Sequence, residues 1–296
     1  MLESGNARAA VTCIPAKHDG LPGAAVRRRQ KPPAPRIERA GEWLYKAHRA
    51  RERFAPLPPD LAPQSLSEAY AIQSEYAGMR AHDLGRVAGY KIALTTPAMR
   101  SMVGLDDSIA GELLEKSIRR SPARVRAADY VRLIVEFEIA FELAEDLPAI
   151  GAPYSRERVA QAVGAAMPAL ELADDRDADY SKLQSSALML VADNAWNEGA
   201  VLGAPVRDWR NIDLAALRGT ATVNGAKIGE GHGADVMGHP LEALAWVANN
   251  LASRGLGLWR SDVVITGSLV TSKYPKAGDS VRFEAGALGS VELRVD

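Results

Sequence analysis

Residues 131–143 read Val-Arg-Leu-Ile-Val-Glu-Phe-Glu-Ile-Ala-Phe-Glu-Leu, and this stretch limits the fold more than any other. Val131, Leu133, Val135, Phe137, Ile139, Phe141 and Leu143 fall on odd positions, while Arg132, Glu136, Glu138 and Glu142 fall on even ones. Alternation of that length in β-branched and aromatic residues predicts one strand with a buried face. Residues two apart on a strand point the same way, so Glu136 and Glu138 stand side by side, about 7 Å apart along the backbone. Like charges so placed repel. Water offsets the repulsion if the face is solvated, and a bound cation does so if it lines a pocket. The strand alone leaves both readings open.

A chain of 296 residues has length for one large domain, or one domain with a smaller appendage. Its formal net charge of -1 supplies no global field for nucleic acid or a membrane surface. Cys13 is the single cysteine, which excludes an internal disulfide framework and a cysteine-based metal site. No apolar run approaches the roughly 20 residues that span a bilayer. The N-terminus lacks the apolar core of a signal peptide. These features lead us to expect a cytoplasmic protein with no membrane and no nucleic-acid partner.

Residues 1–35, rich in Ala, Gly, Pro and Arg, have no core-forming periodicity and are expected to be a disordered basic arm, dispensable for folding. Two amphipathic helices, over residues 37–54 and 65–82, are expected to form a small helical N-terminal subdomain over 36–85. Residues 86–95 predict a buried strand with Lys91 in its middle. Such a lysine either snorkels outward or meets an anion. Residues 96–114 read as a short helix and a loop carrying Asp106 and Asp107. A helix over 155–166, capped by Ser155, precedes the apolar run 167–173, which Glu171 interrupts. A lone acid there is costly unless it is paired or bound to metal, and a salt bridge to Arg176 is one answer. Residues 186–194 form another apolar run, and 199–203 continue as a strand. A hairpin follows over 217–230 with its turn at Asn224-Gly225. His239, read as a packing or capping residue, precedes a helix that starts at Pro240 and runs to about residue 254. Three more strands are expected over 262–267, 280–285 and 290–295. Strands without regular β-α alternation argue for an α+β fold, and no Gly-x-Gly-x-x-Gly supports a dinucleotide site.

Four stretches carry a resemblance: Gly89-Tyr-Lys-Ile-Ala-Leu-Thr95, Val135-Glu-Phe-Glu-Ile-Ala140, Met167-Pro-Ala-Leu-Glu171 and Val191-Ala-Asp-Asn-Ala195. Ala69-Tyr-Ala-Ile-Gln73, Gly238-His-Pro-Leu241 and Ile265-Thr-Gly-Ser268 support it. From about residue 36 onward the chain resembles the 2-keto-4-pentenoate hydratase and 4-oxalocrotonate decarboxylase family, within the fumarylacetoacetate hydrolase superfamily. The resemblance implies a fumarylacetoacetate hydrolase-like mixed β-sheet roll as the catalytic domain over 86–296. It also implies that Glu136, Glu138 and Glu171 are metal ligands. Three carboxylates without His or Cys make a hard oxygen site suited to Mg²⁺ or Mn²⁺.

The implied reaction is hydration of a 2-hydroxy-2,4-dienoate in the meta-cleavage catabolism of aromatic compounds, with the cation as a Lewis acid. A 4-oxalocrotonate-type decarboxylase, or a non-catalytic partner subunit, are the alternatives. The resemblance further implies a homo-oligomer, associated in some members with a related hydratase or decarboxylase. Lys91 matches the family's active-site lysine and is expected to hold the substrate carboxylate or move protons. Three positions depart from the pattern. Trp196 is a large group that narrows the pocket if it faces it, Lys273 is a candidate for a distal carboxylate, and Asp106 is the acid left where Ile109 replaces another. Glu142 has no counterpart and is read as structural.

Overall fold

The computed structural model describes Met1 and residues 34–296. The expected arm therefore lies outside the described residues, apart from Met1 and its last two positions. Residues 34–296 belong to one compact unit. Helix α1 (Pro35–Arg49) buries Ile37, Ala40, Leu44 and Ala47 on one stripe. Helix α2 (Leu66–Leu84) starts where Ser65 Oγ accepts from the Glu68 amide, and it buries Tyr70, Ile72, Gln73 and Tyr76.

Strand β1 (Val87–Ala93) then leads into α3 (Pro97–Val103), capped by Thr96. Strand β2 (Ile109–Leu114) stands where a loop was expected; it is buried at every residue, so its sequence shows no alternation. Short strands β3 (Ile118–Arg120) and β4 (Ala123–Val125) precede β5 (Leu133–Leu143), the alternating stretch of the sequence. Helix α4 (Arg156–Ala162) is capped by Ser155 as expected but stops early. The long strand β6 (Val163–Asp174) takes over and carries Glu171.

The run at 186–194 supplies α5 (Ala187–Ala192), and β7 (Asn197–Leu202) follows. The hairpin β8 (Arg218–Val223) and β9 (Ala226–His232) turns at Asn224 and Gly225, both at positive φ. Helix α6 (Pro240–Ser253) is capped by His239, whose ring nitrogen accepts from the Leu241 amide, as its place in the sequence suggested. Strands β10 (Val263–Lys273), β11 (Ser280–Ala285) and β12 (Ser290–Val295) complete the chain.

Among the described residues the strands form two mixed sheets, ordered β2-β1-β10-β5-β6-β7-β3 and β4-β12-β11-β8-β9. The sheets share a core in which Phe137 of β5 meets Phe283 of β11 at 5.7 Å between ring centroids. The α+β reading holds. Strand β5 lies in the middle of the first sheet, and its neighbours set the register of the site. The antiparallel pairing with β6 places Glu136 opposite Glu171, and that with β10 places Glu138 opposite Ser268. No helix among the described residues is long and apolar enough to cross a membrane.

Candidate functional site

The register of β5, β6 and β1 draws the three glutamates and Lys91 together. One carboxylate oxygen from each of Glu136, Glu138 and Glu171 lies within 4.8 Å of the others. Glu138 and Glu171 are 0% exposed and Lys91 is 3% exposed, so water screens this charge poorly. Lys91 Nζ stands 3.0 Å from Glu171 Oε1, which also accepts from Asn197 Nδ2 at 2.9 Å. Glu138 Oε2 accepts from the Gly267 amide at 2.6 Å. Gly267 has φ +107, and a Cβ there would sit 2.6 Å from Thr95 Cγ2, so a glycine is required to aim that N–H. Glu136, half-buried, accepts from Ser272 Oγ at 2.8 Å. Lysine therefore meets an anion here rather than snorkelling, and Glu171 pairs with it rather than with Arg176.

The charges do not balance. Glu138 Oε1 and Glu171 Oε2 are buried without a hydrogen-bond partner. Burial pushes the Glu138 carboxyl well above its usual range, and the charges of Glu171 and Glu136 push it further. Burial also raises Glu171, outweighing the Lys91 ammonium beside it. On Lys91 burial works downward, but Glu171, Glu136 and Glu138 together hold its pKa above the ordinary value. Three carboxylates facing one ammonium, with two orphan oxygens, are a fitting donor set for a hard divalent cation.

Lys91 and Glu136 line a cavity of about 540 Å³. Trp196 lines it too, with its ring edge-on to Phe54 at 5.7 Å and Tyr180 at 5.8 Å between centroids. Two expected site residues are elsewhere. Asp106 is exposed on the loop before β2, outside the cavity lining. Lys273 is half-buried and also outside it, whereas Ser272 and Tyr274 line the cavity.

The family model for the fumarylacetoacetate (FAA) hydrolase C-terminal region matches residues 103–296, which include all three glutamates. The chain belongs to this family. Its similarity to members is spread over most of its length. A 2-hydroxyhexa-2,4-dienoate hydratase of Comamonas testosteroni is 32% identical over 261 residues, covering 87% of this chain and 97% of its own. A 2-keto-4-pentenoate hydratase of Paraburkholderia phymatum is 33% identical over 259 residues, covering 86% and 96%. The solved structure of 4-oxalocrotonate decarboxylase from Pseudomonas putida G7, complexed with magnesium and adipate, matches with a TM-score of 0.80 at 24% identity. It covers 88% of this chain and 97% of that one, and it shows that the fold is the family's.

Residues outside the candidate ligand set hold the far wall of the cavity. Asn194, Ala195 and Trp196 have φ of 54, 46 and 61°, three consecutive non-glycine residues in the left-handed region. Each such residue costs on the order of 1–3 kcal/mol and persists only where its surroundings enforce it. Here the two ends of the segment are pinned. Asp193 accepts from His48 Nε2 at 2.6 Å and Arg176 at 2.6 Å, while Glu198 meets His48 Nδ1 at 3.0 Å and Arg80 at 2.5 Å. Asn194 adds a two-way bond to the Glu112 backbone, and Gln73 ties Val191 to Ala110. The network thus presents Trp196 to the cavity and Asn197 to Glu171. Its partners lie 118 to 150 residues apart for Arg80 and His48, so no local pattern announces them.

Proposed function

We propose that this protein is a divalent-cation-dependent hydratase that adds water to a 2-hydroxy-2,4-dienoate and yields a 4-hydroxy-2-oxo acid. Glu136, Glu138 and Glu171 would be its ligands to Mg²⁺ or Mn²⁺. The observation that carries this reading is the convergence of three carboxylates, two with orphan buried oxygens, on one lysine beside a cavity. Identities of 32 and 33% to two dienoate hydratases support the reaction class. A hard cation bound there would supply Lewis-acid polarisation of the substrate's 2-oxo carboxylate.

The chain's own groups account for the rest. Lys91 stays charged because three carboxylates outweigh its burial, so it serves as a proton donor and as a partner for the substrate carboxylate. Its hydrogen bond to Glu171 fixes where Nζ points. Delivery of a proton to C5, with loss of the proton on the C2 hydroxyl, converts the dienol to an enone, and one water then adds across C3 and C4. The product therefore contains the substrate plus one water, with no other reactant. The mostly apolar cavity wall limits bulk water around the reacting carbons.

The test is product analysis of the purified protein with Mg²⁺, given 2-hydroxypenta-2,4-dienoate and, separately, 4-oxalocrotonate. A 4-hydroxy-2-oxo acid from the dienoate is expected. Rapid CO2 release from oxalocrotonate, with no hydration of the dienoate, would overturn the proposal.

A further inference from the structure

Each of the three glutamates has one oxygen committed to a donor of the protein. Glu171 Oε1 accepts from Asn197 Nδ2 at 2.9 Å and faces Lys91 Nζ at 3.0 Å. Glu138 Oε2 accepts from the Gly267 amide, and Glu136 Oε1 accepts from Ser272 Oγ at 2.8 Å. On the two fully buried glutamates the other oxygen, Glu138 Oε1 and Glu171 Oε2, has no hydrogen-bond partner. Both therefore divide their oxygens alike, one held and one left over.

Irregularities in the strands aim two of these donors. Along β7, Gly199 pairs with Leu172 but Asn197 pairs with Ala173, so Glu198 is an extra residue. A bulge of this kind moves the side chains beyond it to the other face of the sheet. Asn197 thereby shares a face with Ala173 and, two residues away along β6, with Glu171. The side chain is 3% exposed, and Nδ2 also reaches the Gly199 carbonyl at 3.4 Å. A carboxylate and a carbonyl are both acceptors, so the amide can turn only its nitrogen toward them. Strand β10 loses register against β5 twice between Ser268 and Lys273, and in that stretch Ser272 comes beside Glu136.

This arrangement bears on which cation the cluster prefers. Ca²⁺ takes about six to eight oxygens and readily accepts both oxygens of one carboxylate, whereas Mg²⁺ demands a compact set of six and keeps several of them as water. A carboxylate oxygen already held by an N–H or O–H donor must give up a charge-assisted hydrogen bond before it can turn to an ion. We infer that Asn197 and Ser272 are positioning residues that set the metal preference of the acid cluster. By holding one oxygen of Glu171 and one of Glu136, they make each glutamate offer a single oxygen and so favour Mg²⁺ over Ca²⁺. The inference rests on the reading of Glu136, Glu138 and Glu171 as metal ligands, and it is independent of the reaction that follows.

The test is isothermal titration of Mg²⁺ and, separately, Ca²⁺ into the chelator-treated full chain, as wild type, Asn197→Ala and Ser272→Ala. Loss of a hydrogen-bond partner behind a ligand weakens a metal site by about 10–100-fold, and that loss is expected for Mg²⁺ in both variants. Ca²⁺ affinity should stay within about twofold of wild type, because the freed second oxygen can serve the larger ion. Preference for Mg²⁺ over Ca²⁺ should therefore fall by about tenfold. Urea unfolding of the chelator-treated variants is followed alongside, since Asn197 is buried. If Asn197→Ala does not fold, the half-buried Ser272→Ala decides the matter. Equal weakening of both ions, or unchanged Mg²⁺ affinity, would overturn the inference while leaving the three glutamates as ligands. Absence of a Mg²⁺ site in the wild type would overturn the metal-ligand reading as well.

Discussion

Beneath α1 and α2, Asp193 and Glu198 are met by His48, Arg80 and Arg176, and every carboxylate oxygen of the pair has a partner. A few residues along the same sheet, Glu136, Glu138 and Glu171 face a single cation, and two of their oxygens have none. Both clusters are buried, so sequence composition and burial do not separate them. Balance does. In the first cluster His48 and Arg80 lower the Glu198 carboxyl to about 2 against the effect of burial, and the Asp193 carboxyl is lowered in the same way. In the second, burial wins and both buried glutamates are raised. A balanced buried cluster holds the chain in shape, whereas an unbalanced one requires something the chain does not supply. The first grips both ends of the strained segment Asn194–Trp196, and that segment forms a wall of the second.

The sharpest way to break the comparison is to unbalance the first cluster. Glu198→Ala leaves Arg80 and His48 buried without their shared anion, and it is expected to cost about 3–5 kcal/mol. Urea denaturation at neutral pH measures this, and a loss below about 1 kcal/mol would contradict a structural role. The opposite sign is expected at the acid cluster. In chelator-treated protein, Glu138→Gln removes a buried like charge, keeps an acceptor for the Gly267 amide and gains a donor for Glu171. Stability should rise by on the order of 1–3 kcal/mol, and a fall would show that the cluster is already balanced.

The smallest effect is a pH slope. Burial lowers the His48 pKa, but Asp193 and Glu198 raise it by more, above 6.5. A group raised in the folded state contributes stability that is complete below its unfolded pKa and fades as pH climbs through the folded one. Glu198, lowered from 4.5 to about 2, loses its contribution as pH falls toward the lower value. The network is therefore strongest between about pH 4.5 and 6.5. The difference in Tm between wild type and His48→Gln should be steady across that window and shrink above it. A difference that grows with pH would reverse the assignment.

Much of the acid cluster was legible in the sequence, because its determinants are local. Alternation around Glu136 and Glu138, an acid inside the apolar run at Glu171 and a lysine inside a strand at Lys91 each pose a problem that burial makes acute. The caps at Ser155 and His239 were legible for the same reason. Strand β2 was not, since a strand buried on both faces and containing Gly111 shows no period. Helix α5 is six residues of continuous apolar sequence, a length at which period cannot separate helix from strand. Asp106 and Lys273 carried the right charge near the right motifs, but both lie outside the cavity lining. The His48 network was invisible because its partners meet only after the chain has folded.

Glu136, Glu138 and Glu171 are expected to hold a divalent cation, and Asp193 and Glu198 are not. Isothermal titration of Mg²⁺ into chelator-treated protein tests it directly, using wild type, Glu138→Gln, Glu171→Gln and the control His48→Gln. One site per chain is expected in wild type and in the control, with loss of that site in both glutamate variants. Undiminished binding in Glu138→Gln and Glu171→Gln, or no binding by the wild type, would contradict it.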